Sequence, residues 1–277
     1  AEANFSVLFI YCDGLKPNSN ERYYENVNAV RQIAKEENRF KKVHVIIREH
    51  NLGLANSIIE GVTEVINQFG RVIVLEDDIV PSTGFLKYMN EALDLYEYED
   101  KVGCIHAWNY NLNNSIYKES TFFLKGADCW GWATWKIAWK DFNPDGTELL
   151  QIIETKKLEY EFDRKGTHSY VSMLKDQIQG KNDSWAIRWH ASLFIKDKYC
   201  LHPTRAIVKN IGLDNSGTHC GVTFMEQNPL SLCEVYKIPL LEPDWFFSAY
   251  SEFLKENFNT TTKWQRLKSL LKHLFLQ

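Results

Sequence analysis

Little in this chain marks a small stapled or metal-folded protein. Six cysteines (Cys12, Cys104, Cys129, Cys200, Cys220 and Cys233) are scattered over 277 residues, with no CxxC pair and no zinc-finger spacing. Neither a disulfide framework nor a structural metal is indicated by that pattern, and a reducing compartment is the simplest expectation. A basic excess is also missing: the net charge is −4 and the pI about 6.1, which argues against a general nucleic-acid binder. No apolar run reaches 18 residues and no leader pattern opens the chain, so the sequence predicts a protein that does not span a membrane. There is no internal repeat and no low-complexity linker. No Gly-rich loop follows the first predicted strand, which weakens a nucleotidyltransferase reading.

What is present is an ample core. Hydrophobic residues make up 44% of the chain, with nine Trp, thirteen Tyr and sixteen Phe, enough for one large domain or two small ones. Phe5–Tyr11 predicts a strand ended by the turn signal Cys12-Asp13-Gly14, and Asn18–Glu37 a helix with apolar positions Val27, Val30, Ile33 and Ala34. Lys42–Arg48 predicts a second strand, Ala55–Phe69 an amphipathic helix, Arg71–Leu75 a third strand, and Thr83–Tyr98 a helix. That last helix carries Phe85, Leu86, Met89, Ala92, Leu93 and Tyr96 on one face. The β–α–β–α–β–α order predicts an α/β fold with a mostly parallel sheet flanked by helices.

The stretch RVIVLEDDIVP, Arg71–Pro81, has the strongest chemical content. Four apolar residues run into Glu76, Asp77 and Asp78, and three carboxylates cannot sit in a core without partners. The strand is therefore expected to end at Leu75 and present the acids at its C-terminal edge, where open α/β sheets bind ligands. An oxygen-only cluster there suits a hard divalent cation, Mn²⁺ or Mg²⁺, and through it a phosphate. A solvated acidic loop is the plainer alternative.

Beyond Asp100 the alternation weakens. Val102–Trp108, Phe122–Leu124 and Ala206–Val208 predict short strands, Leu149–Gln179 a helix of mixed charge, and Asp183-Ser184-Trp185 the start of another, with Asp183 or Ser184 as its N-cap. Between them CWGWATWKIAW, Cys129–Trp139, holds four tryptophans. Asn210–Gly221 reads as a loop. Lys263–Gln277 predicts a basic amphipathic helix that either lies on an anionic membrane surface or packs on the protein.

In order, REHNLGLANSIIEGV, VIVLEDDIVPSTGFLKYMNEAL, CWGWATWKIAW, DSWAIRW and NIGLDNSGTH resemble bacterial family 2 type sugar transferases with the GT-A fold, and also the N-acetylglucosaminyltransferase I group. The likeness runs from Phe5 to Gly221, and the chain opens at what looks like the family's second strand. It implies a GT-A (Rossmann-like) single domain: a nucleotide-sugar-binding half over 1–100, an acceptor-side, less regular half over 101–222, and a C-terminal extension over 223–277. It further implies a metal-dependent, inverting glycosyltransferase of surface-polysaccharide synthesis, or else a non-catalytic binding module. The implied partners are a UDP-type nucleotide sugar and a glycan acceptor, lipid-linked acceptors included, in the cytoplasm at the inner membrane face. By motif position Asp78 would bind the metal, Glu76 and Asp77 would hold ribose and sugar hydroxyls, and Asp13 would contact the base. Trp130, Gly131 and Trp132 would wall the transferred sugar. Asp183 would be the general base, one residue before the relatives' base position, with Asp214 in reserve. Arg188 would pair with Asp183 or Glu76, and His219 would reach the metal or diphosphate.

Overall fold

The computed structural model describes residues 2–110, 112, 120–214 and 232–254. Strands β1 (Val7–Cys12) and β2 (Lys42–Ile47) pair in parallel, from Val7 opposite Lys42 to Cys12 opposite Ile47. Helix α1 (Glu21–Glu36) makes the crossover, opened by Asn20, whose side-chain oxygen accepts from the Tyr23 N–H at 2.8 Å. Helix α2 (Gly53–Phe69) follows and stops at Gly70, which takes the left-handed φ of 78° that helix ends favour. Strand β3 (Arg71–Val74), the acidic turn, the short β4 (Ile79–Pro81) and α3 (Phe85–Leu95) complete the alternation. The predicted face of α3 is the buried one, with Phe85, Met89, Ala92 and Leu93 in the core and Tyr96 just beyond the helix.

The second half supplies β5 (Val102–His106), β6 (Thr121–Lys125), β7 (Trp132–Trp135), the single-turn α4 (Lys136–Trp139), β8 (Tyr199–Pro203) and β9 (Val208–Asn210). The larger sheet has the order β3-β7-β5-β8-β6, while β1-β2 and β4-β9 form two-stranded ladders. This sheet is more mixed than the alternation predicts. Crossover helix α3 does bring β5 back in the direction of β3, but β7 wedges between them antiparallel to both, and β6 runs antiparallel to β8. Only β5 and β8 are parallel neighbours in it. α2 packs on both β1 and β3, although these two strands belong to separate ladders.

The long helix expected over 149–179 is three helices: α5 (Gly146–Thr155), α6 (Glu159–Phe162) and α7 (Tyr170–Ile178). Lys157, Arg164, Lys165 and Gly166 all take positive φ, which ends a right-handed helix. Helix α8 (Trp185–Ile195) is buried almost all round and runs through the middle of the fold. Its Trp185 and Trp189 meet Trp132 of β7 and Trp139 of α4 in a knot of indoles; Trp132 and Trp185 stack at 5.1 Å between ring centroids. The last described element is α9 (Asp244–Leu254), packed on β6 through Phe246 and Tyr250. Among the described residues no helix is long and apolar enough to cross a membrane.

Candidate functional site

The acidic turn stands where the apolar run ends: β3 stops at Val74, and Glu76, Asp77 and Asp78 follow before β4. The three carboxylates differ in surroundings. Glu76 is half-buried and accepts from the indole N–H of Trp185, while burial and then the charge of Asp78 push its carboxyl up to about 7. Asp77 is exposed. Asp78 is also raised, by burial and by Asp77. The charges that raise Glu76 are thus those of its neighbouring carboxylates, Asp78 and Asp77. Carboxylate oxygens are the kind of donor a hard divalent ion takes.

A second strand of the chain closes on this turn. β9 pairs with β4, and the Ile211 N–H donates to the Asp78 carbonyl at 2.8 Å. A Cβ on Gly212 would stand 2.5 Å from Asp78 Oδ2, so the glycine allows the loop to press against the carboxylate. Gly212–Asp214 forms a 3-10 turn, which sets the backbone of Asp214 next to Gly212. His219 and the rest of 215–221 lie outside the described residues, as does the basic segment Lys263–Gln277.

The start of α8 forms the third wall. Ser184 is its N-cap, its hydroxyl accepting from the Ile187 N–H at 3.2 Å. Asp183 is therefore spared capping; its carboxylate is 61% exposed and lies 3.6 Å from Arg188. Arg188 itself is buried, donating to the carbonyls of Ser184 and Pro144. The carboxylate of Asp183 faces the N-terminus of α2, with Oδ2 3.9 Å from where a Cβ on Gly53 would be. That same N-terminus is capped from β1: the two oxygens of Asp13 accept from the N–H groups of Leu52 and Gly53 at 2.9 and 3.0 Å, and Oδ1 also from Gly14. Asp13 thus ties the end of β1 to α2, and a Cβ on Gly14 would collide with the His50 carbonyl carbon at 2.2 Å.

The Gly-Trp segment divides its roles. Trp130 is half-buried and packs edge-on against Trp108 at 4.7 Å, leaving part of its ring available. Trp132, expected in the sugar wall, is fully buried in the indole knot. Gly131 has φ 70°, and its Cβ would meet Val208, Ala107 and Phe85, so what approaches it closely is the protein's own core.

One polar cluster was invisible in the sequence. His106 ends β5, His202 lies beside it on β8, and their Nδ1 atoms are 3.2 Å apart. Asp128, in the β6–β7 connection, sets Oδ1 3.8 Å from His106 Nε2 and Oδ2 3.8 Å from the guanidinium of buried Arg164. Burial drives both imidazoles below their ordinary range. Burial also opposes ionisation of Asp128, but the surrounding imidazoles and Arg164 hold its carboxyl below the usual carboxylate range. These residues are separated by 22 to 96 positions and meet only through strand register, so no local spacing signals them.

Residues 22–147 match the model of the GNT-I family, a stretch that runs from α1 through the acidic turn to β7 and α4. The match supports a GNT-I-like glycosyltransferase, with a nucleotide sugar and a glycan acceptor as the partners that activity implies. Comparison with curated proteins returned no match.

Proposed function

We propose that the chain is a metal-dependent, inverting glycosyltransferase that moves a sugar from a UDP-type nucleotide sugar to a glycan acceptor in surface-polysaccharide synthesis. The observation that supports this most is the meeting of two elements on the acidic turn, the start of α8 through Trp185 and the β9 loop through Gly212, while Asp183, two residues before Trp185, faces the α2 N-terminus held by Asp13. Asp78 would hold a divalent cation, with Glu76 beside it. When bound, that ion supplies neutralisation of the charge that develops on the departing diphosphate.

The remaining steps belong to the chain. Asp77, exposed beside Glu76, binds hydroxyls of the donor, and Glu76, near half-protonation at neutral pH, can both donate to and accept from them. Asp13, at the end of β1, would contact the base. Trp130 offers an indole edge to the transferred sugar. Asp183, oriented by Arg188, takes the acceptor O–H proton as that oxygen attacks the anomeric carbon; the C–O bond to the diphosphate breaks and its electron pair leaves on the phosphate oxygen. Asp214 is the reserve base. Residues 1–100 serve the donor and 101–222 the acceptor, with lipid-linked acceptors reached at the inner membrane face.

The test is transfer or hydrolysis of nucleotide sugars with Mn²⁺ by the chain and by Asp78→Ala. A loss of roughly 100-fold or more in kcat is expected when a group that stabilises developing phosphate charge goes. Equal activity in the two proteins rules out Asp78 as the ligand. A second reading, a non-catalytic nucleotide-sugar or glycan-binding module, is favoured by Ser184, which caps α8 where the relatives carry their base. UDP binding with Mn²⁺ but no turnover across donor sugars would select it.

A further inference from the structure

We propose that His106, Asp128 and His202 form a second, transition-metal site of the Zn²⁺ type, independent of the acidic turn. One donor atom from each side chain lies within 4.8 Å of the others, a spread that side-chain rotation can close onto one ion. His106 and His202 are 0% and 3% exposed, and their Nε2 atoms are buried without a hydrogen-bond partner among the described residues. Buried imidazole nitrogens that bond nothing are unfavourable, and a bound cation satisfies them. The Nδ1 atoms stand 3.2 Å apart with the rings at 76°, a hydrogen bond between the imidazoles that holds both rings and leaves Nε2 of each as the nitrogen open to an ion, with Asp128 Oδ1 3.8 Å from that of His106.

The donor chemistry differs from that of Glu76–Asp78. Two imidazoles and one carboxylate select Zn²⁺ or Co²⁺ over Mg²⁺, and three protein ligands leave a fourth position open. Asp128 retains 29% side-chain exposure while both histidines are sealed. The buried guanidinium of Arg164 also stands close enough for its charge to act on both imidazoles. It faces Oδ2 and leaves Oδ1 turned to His106, the arrangement of an outer group that orients a ligating carboxylate. The ligands come from β5, β8 and the β6–β7 connection, so a bound ion ties the end of two adjacent strands to the segment that carries Trp130 two residues on.

Co²⁺ is the probe, because its visible absorption reports ligand type. The full chain, freed of metal with a chelator, is titrated with Co²⁺ and then Zn²⁺, and metal per chain is measured by mass spectrometry. One tightly held Co²⁺ with an intense tetrahedral-type spectrum, displaced by Zn²⁺, is expected for the unaltered protein and for Asp78→Ala. Asp128→Asn and His202→Gln should each weaken Co²⁺ binding about tenfold or more. A weak octahedral-type spectrum, or a spectrum lost in Asp78→Ala and kept in Asp128→Asn, overturns the assignment. The spectrum of the unaltered chain decides by itself should either variant fail to fold.

Discussion

Glu76 shows how much of this site depends on one ionisation. Its ordinary carboxyl range is near 4.5, but in the fold it sits at about 7, first through burial and then through Asp78. An acid with a raised folded pKa is stabilising while protonated, so the fold is expected to lose stability as pH rises from about 4.5 to 7. A shift of that size corresponds to about 3 kcal/mol at most. Glu76→Gln removes the charge and keeps an oxygen for the Trp185 N–H. Measured in chelator, the variant should match the unaltered chain at pH 5 and exceed it by about 1–3 kcal/mol at pH 8 in denaturant unfolding. Parallel stability curves for the two proteins would show that Glu76 is not desolvated. The apolar run before the acids made this residue legible: a β-branched strand must end before Glu76, and it does, at Val74. The partner was not legible, because nothing local links Glu76 to an indole 109 positions away.

At the level of elements, the first half followed from period and punctuation. α1, α2 and α3 appear where apolar spacing predicts them, and α2 ends at a glycine. The second half was harder for physical reasons. β7 and β8 are short strands buried on both faces, and a run such as Trp132–Trp135 has neither helical nor alternating period. The break in 149–179 rests on non-glycine residues at positive φ, which tertiary packing imposes: Arg164 turns inward toward Asp128. The start of α8 is where sequence left two caps open, and the structure separates them. Ser184→Ala should remove the cap on Ile187 N–H at about 1 kcal/mol, a drop in Tm of about 2–4 °C, with transfer activity retained. Asp183→Asn should leave Tm unchanged and abolish transfer. The reverse pattern, with Asp183 holding Tm and Ser184 holding activity, would move the base to position 184.

For the whole molecule, the decisive quantity is how the ionisation of the acidic turn would couple to the cation proposed for it. The elements at and next to the turn are held by different forces. The indole knot fixes α8, Asp13 pins α2 to β1, and the β4–β9 ladder fixes the Gly212 loop. The carboxylates they gather repel one another, so the assembled site stores unfavourable charge that a divalent ion would discharge. Binding of an ion at Asp78 must then compete with protons on Glu76, whose carboxyl sits at about 7. Affinity for Mn²⁺ should rise about tenfold between pH 6 and pH 8, with proton release on binding. Thermal melts with and without Mn²⁺ would read this as a stabilisation that is small at pH 6. At pH 8 it should grow to about 2–3 kcal/mol when Mn²⁺ is in hundredfold excess over its Kd. In Glu76→Gln the pH dependence should flatten while some stabilisation persists through Asp78, and in Asp78→Ala the stabilisation should vanish at both pH values. Zn²⁺ must be excluded by chelator pretreatment, so that the His106–Asp128–His202 cluster does not add to the shift. A Mn²⁺ effect that is the same at pH 6 and pH 8 in the unaltered chain would mean that the ion, if it binds, does so away from the acidic turn.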